Sequence, residues 1–152
     1  MNKKIIYGSI IVFIIDLISK IIVNTYLSSK ITIINHFFYL DKVYNTGVSF
    51  GMFKNSQIII VILTCIILFF LIKYIKSLKM NTRNTIACSL LFGGIIGNLF
   101  DRVFYGYVND FLSFQFGNYY FPVFNIADIS ICIGMFLIIL AIFLKEDTKE
   151  KK

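Results

Sequence analysis

Four long stretches of the chain are almost free of charge: residues 5–26, 57–75, 85–104 and 126–144. A helix needs about 20 such residues to cross the hydrocarbon core of a bilayer, so each predicts a membrane span. The first stretch follows Lys3 and Lys4, as a signal peptide would. It lacks a small-residue cleavage site, however, and it holds Asp16 and Lys20 in its interior, which marks it as a retained span. Lys73, Lys76, Lys79 and Arg83 lie between spans two and three, and Lys145, Lys149, Lys151 and Lys152 follow span four. Cytoplasmic loops carry such an excess of positive charge, so both ends and the central loop are expected on the cytoplasmic side. The segments 27–56 and 105–125 then face outward. Within the first, Ile31 to Tyr44 is rich in β-branched and aromatic residues and predicts short strands lying on the membrane surface. The second contains Phe111-Leu-Ser-Phe-Gln-Phe and Tyr119-Tyr-Phe-Pro-Val-Phe, an aromatic content suited to the membrane–water interface. The expected fold class is a mainly α four-transmembrane-helix bundle with a small extracytoplasmic β element between spans one and two. It forms a single membrane domain over 1–152, with a cytoplasmic tail at 145–152.

Composition agrees. Of 152 residues, 58% are hydrophobic, against roughly 45–50% in an ordinary soluble domain. The net charge of +7 sits beside the apolar runs and not on a separate basic face, which argues against nucleic-acid binding. Cys65, Cys88 and Cys132 all lie within apolar stretches, with no paired spacing. They read as small buried residues and not as a disulfide framework or zinc site. The single histidine, His36, stands in a strand-like segment without a neighbouring Ser or Cys nucleophile and reads as an interfacial side chain.

Polar residues inside spans are costly and are usually paired or functional. Four places break the apolar pattern. Asp16 and Lys20 stand four apart, share a helix face and can pair. Asn45-Thr-Gly47-Val-Ser-Phe-Gly precedes span two, its glycines allowing close backbone approach and Asn45 offering an amide to a peptide backbone. Gly93-Gly-Ile-Ile-Gly97-Asn98-Leu-Phe-Asp101-Arg102 combines a small-xxx-small pattern with three polar residues on one face, and Val108-Asn-Asp110-Phe111 follows shortly after. Phe124-Asn125-Ile-Ala-Asp128 opens span four, with Asn125 in a helix N-cap position and Asp128 in the first turn. Asp110 and Asp128 thus flank one outward loop. Two facing carboxyls in a partly desolvated site cannot both ionise easily, so one holds a proton while the other acts as base, and together they can activate water. The helix dipole favours charge at Asp128, leaving Asp110 the better candidate for the protonated partner, although such a pair titrates as a unit. On residues alone, helix-end or packing roles for both aspartates stay open, as does a non-enzymatic reading: a small transporter or membrane-assembly subunit using Asp16, Lys20 and Asp101.

These motifs, in this order and in a four-span chain, resemble the bacterial lipoprotein signal peptidases (signal peptidase II). The resemblance covers nearly the whole chain, through Asp16 and Lys20, Asn45-Thr-Gly with Phe50-Gly, Gly97-Asn-Leu-Phe-Asp101-Arg102, Val108-Asn-Asp110-Phe111 and Phe124-Asn125-Ile-Ala-Asp128. It implies an aspartic endopeptidase of the bacterial cell membrane that needs no metal or other cofactor. Such enzymes cut the signal peptide from prolipoproteins just before a cysteine already carrying a diacylglyceryl group. It implies Asp110 and Asp128 as the catalytic dyad, near the outer face. Asn45, Gly47, Asn98, Arg102 and Asn125 would hold substrate or shape the site, and Asp16, Lys20 and Asp101 would support it. Asp101 rivals Asp110, but the adjacent Arg102 is expected to keep it ionised and paired. The expected partners are the lipid-modified precursor and membrane lipids, with a monomeric chain. Three positions depart from the family's usual pattern: Leu17 for Gln, Asn109 for Val and Ile129 for Ser. None removes a proposed catalytic group.

Overall fold

A computed structural model describes residues 2–47 and 56–145 of the chain. Four long helices carry the apolar runs: α1 (Lys3–Tyr26), α2 (Gln57–Ser77), α3 (Thr82–Tyr105) and α4 (Ile126–Phe143). All four are long and apolar enough to cross a membrane. At 1.5 Å per residue they run from about 27 to 36 Å, which suits a hydrocarbon core of about 30 Å. Their limits fall within three residues of those expected from the sequence. The Phe50-Gly51 part of the Asn45 motif and the tail 146–152 lie outside the described residues.

Asparagines start three of the helices. Asn2, Asn81 and Asn125 each present a side-chain oxygen to a backbone N–H of the first turn, at 3.0 Å from Lys4, 2.8 Å from Asn84 and 2.9 Å from Asp128. These bonds satisfy donors that the helix itself cannot. Gly106 ends α3 in the left-handed conformation (φ 77°), donating to the Arg102 carbonyl and turning the chain directly into the β-sheet.

The sheet is larger than the sequence suggests. Strands β1 (Ile31–Ile34) and β2 (Phe38–Asn45) form as expected, with His36 (φ 58°) in their turn. The second outer segment adds β3 (Val108–Phe116) and β4 (Tyr119–Tyr120), giving an antiparallel sheet in the order β1-β2-β3-β4. In β2–β3 pairing, Val43 faces Asp110 and Asn45 faces Val108. The aromatic residues that read as interfacial anchors are therefore also strand residues. The β2 partners of β3 lie 63–76 positions away, so no local pattern announces that pairing.

Helix α3 is central, packing against α1, α4 and α2. Two apolar clusters hold the bundle. One joins Ile5, Ile75, Leu78, Ala87, Cys88, Leu91, Phe92 and Ile138 from all four helices and their connection. The other, Val23, Leu27 and Phe111, joins the end of α1 to β3. Between these clusters lie the polar residues of the spans. The outer surfaces of α1, α2 and α4 expose many Ile, Leu and Phe side chains, as lipid-facing helices do. Of the cysteines only Cys88 is buried; Cys65 and Cys132 are exposed, contrary to the expectation that all three pack inside.

Close helix approach depends on glycine. A methyl group at Gly94 would stand 2.5 Å from the Ala127 carbonyl oxygen, and one at Gly97 would stand 2.6 Å from Oδ2 of Asp16. Gly94→Ala is expected to push α3 from α4 at the start of that helix, at a cost of about 1–3 kcal/mol. Thermal unfolding in detergent checks this; an unchanged melting temperature would show that the contact is soft.

Candidate active site

The charges of the spans converge on Lys20. Its ammonium lies 2.7 Å from Asp16 Oδ2, 2.9 Å from Asp101 Oδ2 and 3.1 Å from Asn98 Oδ1. All four residues are buried. Asp16 and Lys20 thus pair one helical turn apart, as their spacing suggests. Asp101 is paired too, but with Lys20 on another helix and not with its neighbour Arg102. Arg102 instead donates to the Asn98 carbonyl at 3.1 Å and to the Gly47 carbonyl at 3.0 Å, fastening the turn after β2 to α3.

The second carboxylate oxygen of Asp16 accepts the Ala127 N–H at 2.9 Å, so a residue of α1 caps the first turn of α4. Asn109 Nδ2 donates to the Lys20 carbonyl at 3.3 Å, binding β3 to the same point of α1. Neither contact is visible from sequence. Ala127 acts through its backbone, and Asn109 stood out only as a departure from a family pattern.

From Lys20 the network runs outward through two asparagines whose orientations are dictated. An ammonium can only donate, so Asn98 must turn its oxygen to Lys20 and its Nδ2 away. That Nδ2 donates to Asp128 Oδ1 at 2.7 Å. Asn125 must turn its oxygen to the Asp128 N–H, as the helix cap, which leaves its Nδ2 to donate to Asn98 Oδ1 at 3.2 Å and to Asp110 Oδ1 at 2.7 Å. Asp128 closes a capping box by accepting the Asn125 N–H at 3.2 Å. On the far side, Asn45 Nδ2 donates to Asp110 Oδ2 at 2.9 Å, and the Asn45 oxygen accepts the Gly47 N–H at 2.9 Å.

Asp110 and Asp128 line one cavity of about 980 Å³, together with Asn45, Gly47, Asn98 and Arg102. The cavity continues as an apolar cleft past Thr64, Ile67, Leu91, Ile131 and Met135. Ile129 also lines it, so its substitution for Ser makes that wall apolar. Asp110 is 2% exposed, whereas Asp128 is half-buried. Burial pushes the Asp110 carboxyl up from 3.8 to about 7, and the charge of Asp128 adds to the rise; the amides of Asn45 and Asn125 and the charge of Lys20 oppose it. Asp16 and Asp101, by contrast, face Lys20 and do not line the cavity. No three His, Cys, Asp or Glu side chains among the described residues are grouped as a metal centre would require. The site residues inferred from sequence therefore gather in one network, with two carboxyls facing the cavity and two paired to Lys20 behind it. His36 remains in the β1–β2 turn.

Four helices able to span a membrane, with two carboxyls facing one cavity beside a β-sheet, describe a class of membrane protein, and comparison with known proteins narrows it. The sequence profile described as Signal peptidase (SPase) II matches residues 9–144. The chain is 40% identical over 146 residues to a lipoprotein signal peptidase of Clostridium novyi (strain NT), covering 92% of this chain and 97% of that one. It is 38% identical over 142 residues to one from Francisella tularensis subsp. novicida, covering 88% and 87%. Two solved structures described as bacterial membrane enzymes share the fold. The 2.3 Å structure has a TM-score of 0.86 at 35% identity, over 100% of this chain and 95% of that chain; the 1.9 Å structure has 0.82 at 36%, over 93% and 94%. The chain belongs to the signal peptidase II family.

Removing the shared cation tests the support. Lys20→Met leaves two buried carboxylates without a cation and is expected to cost about 3–5 kcal/mol. Asp101→Asn, which leaves the Lys20–Asp16 pair intact, is expected to cost less. Folded yield and melting temperature in detergent rank the two; equal stability of Lys20→Met and the parent protein would contradict the ion-pair assignment.

Proposed function

We propose that this chain is an aspartic endopeptidase of the bacterial cell membrane. It removes the signal peptide from diacylglyceryl-modified prolipoproteins by cutting before the lipidated cysteine, with Asp110 and Asp128 as the catalytic pair. The observation that carries this reading is the cavity wall itself. Two carboxyls from different elements face one space, each held by asparagine amides, while Asp16 and Asp101 are turned away from it and share Lys20. Family membership supports peptidase activity on lipoprotein precursors.

In this reading Asp110 holds the proton and Asp128 carries the charge. Asp128 lies in the first turn of α4, where the helix dipole stabilises a negative group. It draws a proton from a water in the cavity, and that water attacks the scissile carbonyl carbon. Asp110 gives its proton to the carbonyl oxygen as the tetrahedral intermediate forms. Collapse of the intermediate passes a proton to the leaving nitrogen and breaks the peptide bond. Asn45 and Arg102 stand where a substrate backbone can be held. The precursor's apolar signal helix suits the cleft past Ile67 and Met135.

The orientation follows from charge. Lys3, Lys4 and the 73–83 connection lie at one end of the bundle, and the sheet and carboxyls at the other, which suits cytoplasmic termini and an outward site. A transporter using Asp16, Lys20 and Asp101 fits less well, because these three groups bind one another in a buried cluster that does not line the cavity.

Cleavage of a lipid-modified precursor by the purified protein tests the proposal. Asp110→Asn and Asp128→Asn are each expected to lower the rate by roughly 10²–10⁴-fold while the protein still folds. Near-parental activity in either folded variant would remove that aspartate from the chemistry. The pH profile is a separate check. A carboxyl raised to about 7 keeps its proton below that pH and loses it above, so kcat/KM is expected to fall as pH rises through about 7. A rate that stays flat to pH 9 would mean that Asp110 does not supply the proton.

A further inference from the structure

Beyond β4 the chain returns alongside β3 and builds a second hollow next to the carboxyl cavity. The Phe121 N–H donates to the Phe114 carbonyl at 2.9 Å, and Phe124 and Leu112 exchange backbone bonds of 3.1 and 2.8 Å. Phe114, Phe116, Phe121 and Phe124 line a hollow of about 260 Å³. Its walls are braced by ring contacts: Phe114 stacks on Phe124 at 5.7 Å, Phe121 meets Phe124 edge-on at 5.8 Å, and Phe38 stacks on Phe114 at 4.7 Å.

Two features indicate what fits there. First, the lining is wholly aromatic. A peptide backbone laid in it would leave N–H and C=O groups without partners, whereas a hydrocarbon chain leaves none. Second, Phe121 and Phe124 also wall the cavity that holds Asp110 and Asp128, so the two spaces adjoin. Strand alternation puts Asp110, Leu112, Phe114 and Phe116 on one face of β3, with Phe114 about 13 Å from Asp110. The carboxyl cavity therefore has two apolar extensions. One follows α4 from Asp128 to Met135, about 10 Å down the bundle, and the other follows β3 across the sheet.

We propose that the phenylalanine hollow is the subsite for an acyl chain of the substrate's lipidated cysteine. The inference rests on the function proposed above. In such a precursor the signal helix precedes the scissile bond and the lipid follows it, so the two apolar parts leave the carboxyls in different directions. The α4 cleft takes the helix, and the hollow under β3 takes hydrocarbon attached just past the bond. Acyl-chain length then becomes a determinant of specificity, read by rings and not by polar groups.

Phe116 and Phe121 are 55% and 41% exposed, so Phe116→Ser/Phe121→Ser should fold. Cleavage kinetics are compared for synthetic precursors carrying sixteen-carbon or eight-carbon diacyl groups. The parent protein is expected to favour the long chains. In the double variant the ratio of long-chain to short-chain kcat/KM is expected to fall roughly tenfold, chiefly through a raised KM on the long-chain substrate, as removal of aromatic contact area implies. Phe136→Ala, on the lipid-facing side of α4, is expected to keep the preference. A double variant that retains the full preference overturns the subsite while leaving the peptidase reading intact. A parent protein that cleaves neither precursor overturns both. Binding supplies a readout that does not depend on turnover. In Phe121→Trp/Asp128→Asn, indole fluorescence is expected to be quenched saturably by a precursor with brominated acyl chains. Quenching by brominated phospholipid but not by that precursor would assign the hollow to bilayer lipid and overturn the proposal.

Discussion

A buried ammonium organises this bundle. Lys20 sits inside a membrane-spanning helix, where an unpaired charge is not tolerated, and it is matched by Asp16 on its own helix and Asp101 on α3. One cation shared between two carboxylates ties α1 to α3 at a fixed depth. The remaining oxygen of Asp16 takes a backbone N–H of α4, so a third helix joins the same point, and Asn109 brings in β3. Gly97 leaves the room that the Asp16 carboxylate occupies. Apolar packing alone specifies such a cluster poorly, because lipid tails are as apolar as the helices they surround.

From that anchor, hydrogen-bond polarity is passed outward without freedom to invert. Lys20 sets which way Asn98 points, and the α4 N-terminus sets which way Asn125 points. Both amides must therefore present Nδ2 to a carboxyl. The result is two aspartates held by donors of fixed direction, one deeply buried in β3 and one at a helix start. Burial and the charge of Asp128 raise the Asp110 carboxyl, and Asp128 is held in the first turn of α4 by its capping box. A pair of like groups is thereby given unlike surroundings.

Much of this was legible in the sequence, and the part that was not has a physical reason. The four spans follow from length and hydropathy, and the Asp16–Lys20 pair and Asn125 cap follow from helical spacing, because all are local. Chain adjacency points to Arg102 as the partner of Asp101, but adjacency in sequence is not adjacency in space. On a helix, neighbours in sequence point about 100° apart, and Asp101 reaches across to α1 instead. The strand at 108–116 was missed because its aromatic residues suit an interface and a sheet equally well. Its pairing with 38–45 is a long-range fact. The Asp16 bond to the Ala127 N–H involves a backbone donor, which no residue identity reveals.

The central claim is that Asp110 and Asp128 form a coupled pair in which Asp110 keeps a proton. Infrared titration of carboxyl bands in the purified protein tests it most directly. The account expects a protonated carboxyl band that persists to about pH 7, vanishes in Asp110→Asn, and titrates at lower pH in Asp128→Asn, where burial acts without the neighbouring charge. A band unaffected by Asp110→Asn, or a midpoint unmoved by Asp128→Asn, would contradict it.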